Sequence, residues 1–169
     1  KLIAECIYDR SFGDLISDIT ELHNNVTQNN VTDTLVCSFI GDINIGNRLL
    51  DKILASDKKD LVNVIVIRGG IDRDKLMPKI NMFGKRIVFI SKEYGNDIIP
   101  TLQALYYCSI RYNGINNVYK LHTKSDHKWF NDCTNYLLDT KQCEMKFHED
   151  SNCITHNKYL KSINSQKLH

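Results

Sequence analysis

From Thr34 onward the chain alternates short apolar runs with amphipathic stretches. Leu35 to Ile40 is almost continuously apolar and stops at Gly41-Asp42, the signature of a strand buried on both faces. Residues 44–56 carry Ile45, Leu49, Leu50, Ile53 and Leu54 at helical spacing. Val62 to Ile67 predicts a second buried strand, stopped by Gly69-Gly70. Residues 72–82 predict a short helix that begins near Pro78, because proline is tolerated only in a first turn. Residues 86–91 predict a third strand. The longest helix is expected over 98–112, with an apolar face of Ile98, Leu102, Leu105, Tyr106 and Ile110, Asp97 as its N-cap and Pro100 in its first turn. Val118 to Thr123 predicts a fourth strand and 128–139 a further helix, after which the pattern thins to a weak last strand at Cys153-Ile154.

Strands alternating with helices define βαβ units. The expected fold class is therefore α/β, a mainly parallel, doubly wound, Rossmann-like sheet with helices on both faces. Residues 1–33 form a polar lead-in whose Ile16, Ile19, Leu22 and Val26 allow a helix around 14–23, and residues 34–169 form the α/β domain. The first residue is Lys rather than Met, so the chain is expected to be an excised piece.

Composition narrows the partners. With 169 residues and a formal charge of +2, the chain suits one domain and lacks the basic excess of a nucleic-acid binder. No run approaches the roughly 20 apolar residues of a membrane span. Six cysteines without a C-x-x-C pair predict reduced thiols and a reducing, cytoplasmic compartment. Cys133, Cys143 and Cys153 with His148 and His156 fit no common zinc spacing. The sequons Asn25-Val-Thr27 and Asn30-Val-Thr32 are expected as chance matches in an Asn-rich chain.

Ligands of parallel sheets bind at the carboxyl ends of the strands. Here those ends carry Asp42 and Asn44, then Arg68-Gly69-Gly70, then Asp97, then His122-Thr123-Lys124-Ser125-Asp126. Lys120, His122 and Lys124 alternate and should share one strand face, which is costly in a buried strand unless an anion meets them. A diphosphate is such an anion, with Lys124 supplying charge and His122 and Thr123 hydrogen bonds; the alternative sends Lys120 to the sheet edge and Lys124 into solvent. Asp126 either holds a divalent metal or caps the next helix, and Asp97 either caps or approaches a ligand. Asp42 and Asn44 either bind a base or ribose or cap the first helix. Arg68 heads either a phosphate loop or an ordinary turn. Trp129 either packs its helix on the sheet or stacks on a sugar. Dinucleotide, Walker-type and nucleophile-elbow motifs are absent.

The runs Glu93-Tyr94-Gly95-Asn96-Asp97-Ile98-Ile99-Pro100-Thr101-Leu102 and Val118-Tyr119-Lys120-Leu121-His122-Thr123-Lys124-Ser125, with Trp129 ahead of a helix bearing Leu137-Leu138, resemble the rhamnan synthesis protein F family. These are glycosyltransferases of polysaccharide assembly. The same runs are similar to glycosyltransferase-like proteins of large DNA viruses, which share the Asn/Ile/Lys-rich usage. Asn96 and Phe130 depart from the family, which usually has arginine at both places. The resemblance implies a GT-A-like fold that binds a nucleotide-diphospho-sugar and passes the sugar to a glycan or protein acceptor, in the host cytoplasm for a viral protein. This chain is shorter than a complete domain of that kind. His122, Lys124 and Asp126 would be catalytic. Asp42, Asn44, Arg68, Asp97, Lys120, Thr123 and Trp129 would contact substrate. Either Mn²⁺ or Mg²⁺ on Asp126 or the ammoniums of Lys120 and Lys124 would neutralise the diphosphate. A non-catalytic glycan- or partner-binding module is the alternative, and a hydrolase using His122 and Asp126 the third reading.

Overall fold

A computed structural model of the chain describes residues 19–30, 33–92 and 97–139. In chain order the elements are β1 (Ile19–Asn24), β2 (Thr34–Ile40), α1 (Ile43–Leu54), β3 (Val62–Arg68), α2 (Met77–Ile80), β4 (Arg86–Ser91), α3 (Ile98–Arg111), β5 (Asn117–His122) and α4 (His127–Leu138). They build one five-stranded sheet of order β1-β4-β3-β2-β5. The pairs β2/β3, β3/β4 and β2/β5 are parallel, and β1 runs antiparallel along β4. The fold is thus α/β and Rossmann-like.

The sheet is covered on both sides, which is why its middle strands read as unbroken apolar runs. On one face Val36, Ile40, Ile65 and Ile67 pack under Leu49, Leu50 and Ile53 of α1 and Phe130 of α4. On the other, Leu35, Cys37, Val64 and Phe89 pack under Ala104 and Cys108 of α3. Leu49, Leu50 and Ile53 are fully buried, and each such side chain contributes about 1.5–3 kcal/mol. Gly46 lets α1 lie close on the sheet: a Cβ there would come within 2.4 Å of Ile40 Cγ2.

Winding runs from β2 to β3 to β4, and α3 then carries the chain back across the sheet to β5, on the far side of β2. The direction of winding therefore reverses between β2 and β5, while α1 and α4, which follow these two strands, pack on the same face of the sheet. That reversal is the topological switch point where ligands of such sheets bind.

Four expectations need correcting. The face expected for α3 is rotated: Ile98 and Ile110 are exposed, and Thr101, Ala104 and Cys108 are buried instead. Residues 19–23, read as the second half of a helix, are strand β1; residues 14–18 lie outside the described residues. The helical spacing misled because β1 is an edge strand with a register shift between Glu21 and His23, so its alternation is broken. The strand of His122 is not interior. Among the described residues β5 is the other edge, and Val118 is 40% exposed. The helix at 72–82 is split into a 3₁₀ turn, Arg73–Lys75, and the single-turn α2 with Pro78 at its start.

Asn25 of the first sequon holds the sheet edge. Its Nδ2 donates to the Gly84 carbonyl at 2.9 Å and its Oδ1 accepts from the Arg86 amide at 2.8 Å. Asn30-Val-Thr32 includes residues outside the described ones, as do Cys143, Cys153, His148, His156 and the weak strand at Cys153-Ile154. Cys37 and Cys108 are free, buried thiols. Burial raises the Cys37 thiol well above its ordinary range and pushes Cys108 up to about 12. No helix among the described residues is long and apolar enough to cross a membrane.

Candidate functional site

The carboxyl ends of β2 and β5 are stitched together at the switch point. The Gly41 amide donates to Thr123 Oγ1 at 2.8 Å, and the Thr123 amide donates to the Phe39 carbonyl at 3.1 Å. Thr123 thus fixes the rim while its hydroxyl proton stays available to a ligand. Asp42 caps α1, its Oδ1 accepting from the Ile45 amide at 2.9 Å. Asp126 caps α4 in the same way through the Trp129 amide, also at 2.9 Å. Both carboxylates take the capping role that was one of their two readings.

Asp97 does not. It occupies the position before α3, but its side chain makes no capping bond. It turns instead to β5, where it accepts a hydrogen bond from Lys120 Nζ and stands 3.4 Å from His122 Nδ1. Lys120 and His122 lie opposite Cys37 and Phe39 in the register and so face the α3 side, as the alternation required. The anion that makes this cationic row tolerable is Asp97, inside the protein. Lys124 falls outside the row: it is exposed, past the end of β5, with Nζ 5.6 Å from the centre of the Trp129 ring.

The protonation states follow from that geometry. Burial raises the Asp97 pKa, but the hydrogen bond from Lys120 and the charges of His122 and Lys120 outweigh it and leave the carboxyl below its ordinary value. His122 is pushed down to about 4 by burial, with Lys120 and Lys124 acting in the same sense and Asp97 against. The imidazole is therefore neutral near pH 7, and its approach to Asp97 is a polar contact rather than an ion pair. A proton on Nδ1 facing Asp97 leaves Nε2 as a lone-pair acceptor. That Nε2 is buried and has no hydrogen-bond partner among the described residues.

Three cavities border Arg68 on this rim, and two of them reach Gly41 and Asp42 at the end of β2. One of about 260 Å³ is lined by Gly41, Asp42, Arg68, Asp97, Thr123 and Lys124, with Ser125 among its other lining residues. The second, about 450 Å³, is lined by Asp42, Asn44, Arg68, Gly70, Asp72 and Lys75. They share Gly41, Asp42 and Arg68, so Arg68 stands between them. No hydrogen bond or ion pair engages its guanidinium among the described residues, whereas Lys75 is paired with Asp72 at 3.2 Å. Gly69 sits tight against β4, where a Cβ would come within 2.7 Å of the Ser91 carbonyl oxygen, and Gly70 turns the chain with φ +83°.

Trp129 had two readings from sequence, packing and sugar stacking. Its neighbour Phe130 fills the packing role at 1% exposure, while Trp129 is 43% exposed. The indole lies 5.3 Å from the His122 ring, centre to centre, and forms an aromatic wall beside Lys124. The switch point thus brings together Asp42, Arg68, Asp97, Thr123 and Lys124, with Lys120, His122, Asp126 and Trp129 adjoining. Asn44 lines only the larger cavity. Ser125 and Lys75 were not singled out from sequence, since an isolated Ser or Lys after a strand carries no signal of its own.

No family model matches the chain, and neither does any curated protein or solved structure.

Proposed function

We propose that this rim binds a nucleotide-diphospho-sugar and that the chain is a GT-A-like glycosyltransferase domain acting in glycan or polysaccharide synthesis, in a reducing cytoplasm. The observation that carries the reading is the pair of cavities that share Arg68 at the strand-end rim, with the exposed Trp129 beside Lys124 of the smaller one. Their sizes suit a ligand made of linked parts. The nucleoside fits the larger cavity beside Asp42 and Asn44. The diphosphate fits the smaller one, between Arg68 and Lys124. The sugar then reaches Trp129, whose ring offers an apolar face to a pyranose.

In glycosyl transfer the bond between sugar and phosphate breaks and negative charge grows on the leaving diphosphate. Lys124, which lines the cavity from the loop after β5, is suited to stabilise that charge. His122 holds a free lone pair, but a pKa near 4 makes it a weak base at pH 7, better suited to accept a hydrogen bond than to remove a proton. An acceptor would be a glycan or a protein hydroxyl.

The engagement of Asp42, Asp97 and Asp126 within the fold favours a second reading, a module that binds nucleotide sugar or glycan without turning it over. Thermal shift with UDP-, GDP- and dTDP-sugars tests binding, because any ligand held only by the native state raises Tm. Release of nucleoside diphosphate from the bound donor then separates enzyme from module. No shift with any donor removes both readings of the donor site.

A further inference from the structure

Donor sites of this general kind often place a divalent cation between carboxylates and the diphosphate, so the side chains here must be tested for it. A hard cation bridging phosphates needs free oxygen ligands that converge. Asp42 and Asp97 line the smaller cavity, and Asp126 lies just past it. Asp42 and Asp126 each give one oxygen to a helix cap. The Asp97 carboxylate is held by Lys120, whose ammonium would repel a metal at that oxygen. Among the described residues no three His, Cys, Asp or Glu side chains converge as a ligand group. Among the described residues, then, no set of free carboxylates converges to hold a bridging metal.

Cations, in contrast, stand ready at the same cavity. Arg68 and Lys124 both line it. Arg68 has no acidic partner among the described residues. Lys124 rests over Trp129, a contact that leaves its full charge uncompensated. Lys120 is excluded from this task because Asp97 already neutralises it. His122 adds no charge near pH 7.

We propose that Arg68 and Lys124 bind the diphosphate directly, with Thr123 donating its hydroxyl, and that binding needs no divalent cation. The proposal rests on the donor-site reading above. The guanidinium fork of Arg68 takes two phosphate oxygens at once, and Lys124 supplies a point charge from the loop after β5. The pair reproduces the charge of a divalent ion from two side chains.

The test is calorimetric titration in metal-stripped buffer, with inorganic pyrophosphate and then UDP, GDP and dTDP as probes. Pyrophosphate should bind without metal, and more weakly as salt is raised. Arg68→Gln and Lys124→Gln should each weaken it about tenfold, the loss of one charge-assisted contact. Arg68→Lys should retain part of the affinity, and Tm of the free protein should stay within the error of the parent for all three variants. Binding that appears only with Mn²⁺ or Mg²⁺ overturns the proposal. So does unchanged affinity in both glutamine variants, or no pyrophosphate binding at all. If pyrophosphate behaves as expected but no nucleotide binds more tightly than pyrophosphate, the anion site stands and the nucleotide-sugar reading falls. If nucleotide sugars bind tightly but only with metal, the reverse holds.

Discussion

Lys120 on β5 reaches the Asp97 carboxylate at the start of α3, closing a contact between the sheet edge and the helix that crosses it. The two side chains are 36% and 19% exposed, so the pair is neither a solvated surface bridge nor a dry one. Such intermediate pairs hold local geometry while contributing modestly to stability.

Lys120→Met should therefore destabilise the protein by about 1–2 kcal/mol at pH 7, because Asp97 keeps its charge and loses its partner. The depressed Asp97 pKa gives a contribution present above the unfolded carboxylate value and lost as pH falls through the lower folded value. In Lys120→Met the Asp97 pKa should rise. Urea unfolding at pH 7 and carboxyl titration by NMR check the two halves; an unchanged midpoint together with an unchanged Asp97 titration would show the pair to be inert.

His122 sets a second pH dependence. The unfolded imidazole takes up its proton near 6.5, while the folded one resists until about 4. Stability should therefore be full above pH 6.5 and decline as pH falls toward 4, by at most about 3 kcal/mol from this group. In His122→Gln the decline over that window should be shallower. Parallel slopes for variant and parent between pH 7 and 4.5, read from urea midpoints, would show that His122 titrates freely.

Adjacent aromatic residues should behave oppositely. Phe130→Ala removes a side chain that is 1% exposed under α4 and should cost about 3–5 kcal/mol. Trp129→Ala removes a half-exposed ring and should change stability by less than about 1 kcal/mol while abolishing the nucleotide-sugar shift. A large loss of Tm in Trp129→Ala would make the indole a packing residue after all.

The parallel strands were legible because burial on both faces leaves long apolar runs such as Val62–Arg68, and because helical spacing between such runs implies crossovers. β1 was not, since an edge strand with one bulge and mostly exposed positions carries little alternation. The sequence pointed to the carboxyl ends of all four parallel strands as the rim, and it flagged the cost of a cationic row on β5. It did not reveal that Asp97 meets that row. An aspartate just before a helix reads as a cap, and the contact joins residues 23 positions apart, which local pattern does not report. Trp129 and Phe130 were likewise indistinguishable until the phase of α4 on the sheet was known.

Trp129 is the single tryptophan of the chain, so intrinsic fluorescence reads the candidate sugar wall alone. Titration with UDP-, GDP- and dTDP-sugars is the most direct measurement of the central claim. At least one donor should produce a saturable change in Trp129 emission, and Lys124→Ala, with Tm of the free protein preserved, should weaken that donor about tenfold or more. Flat emission with every donor, or a donor that saturates Lys124→Ala as readily as the parent, would contradict the placement of a nucleotide sugar at the switch point.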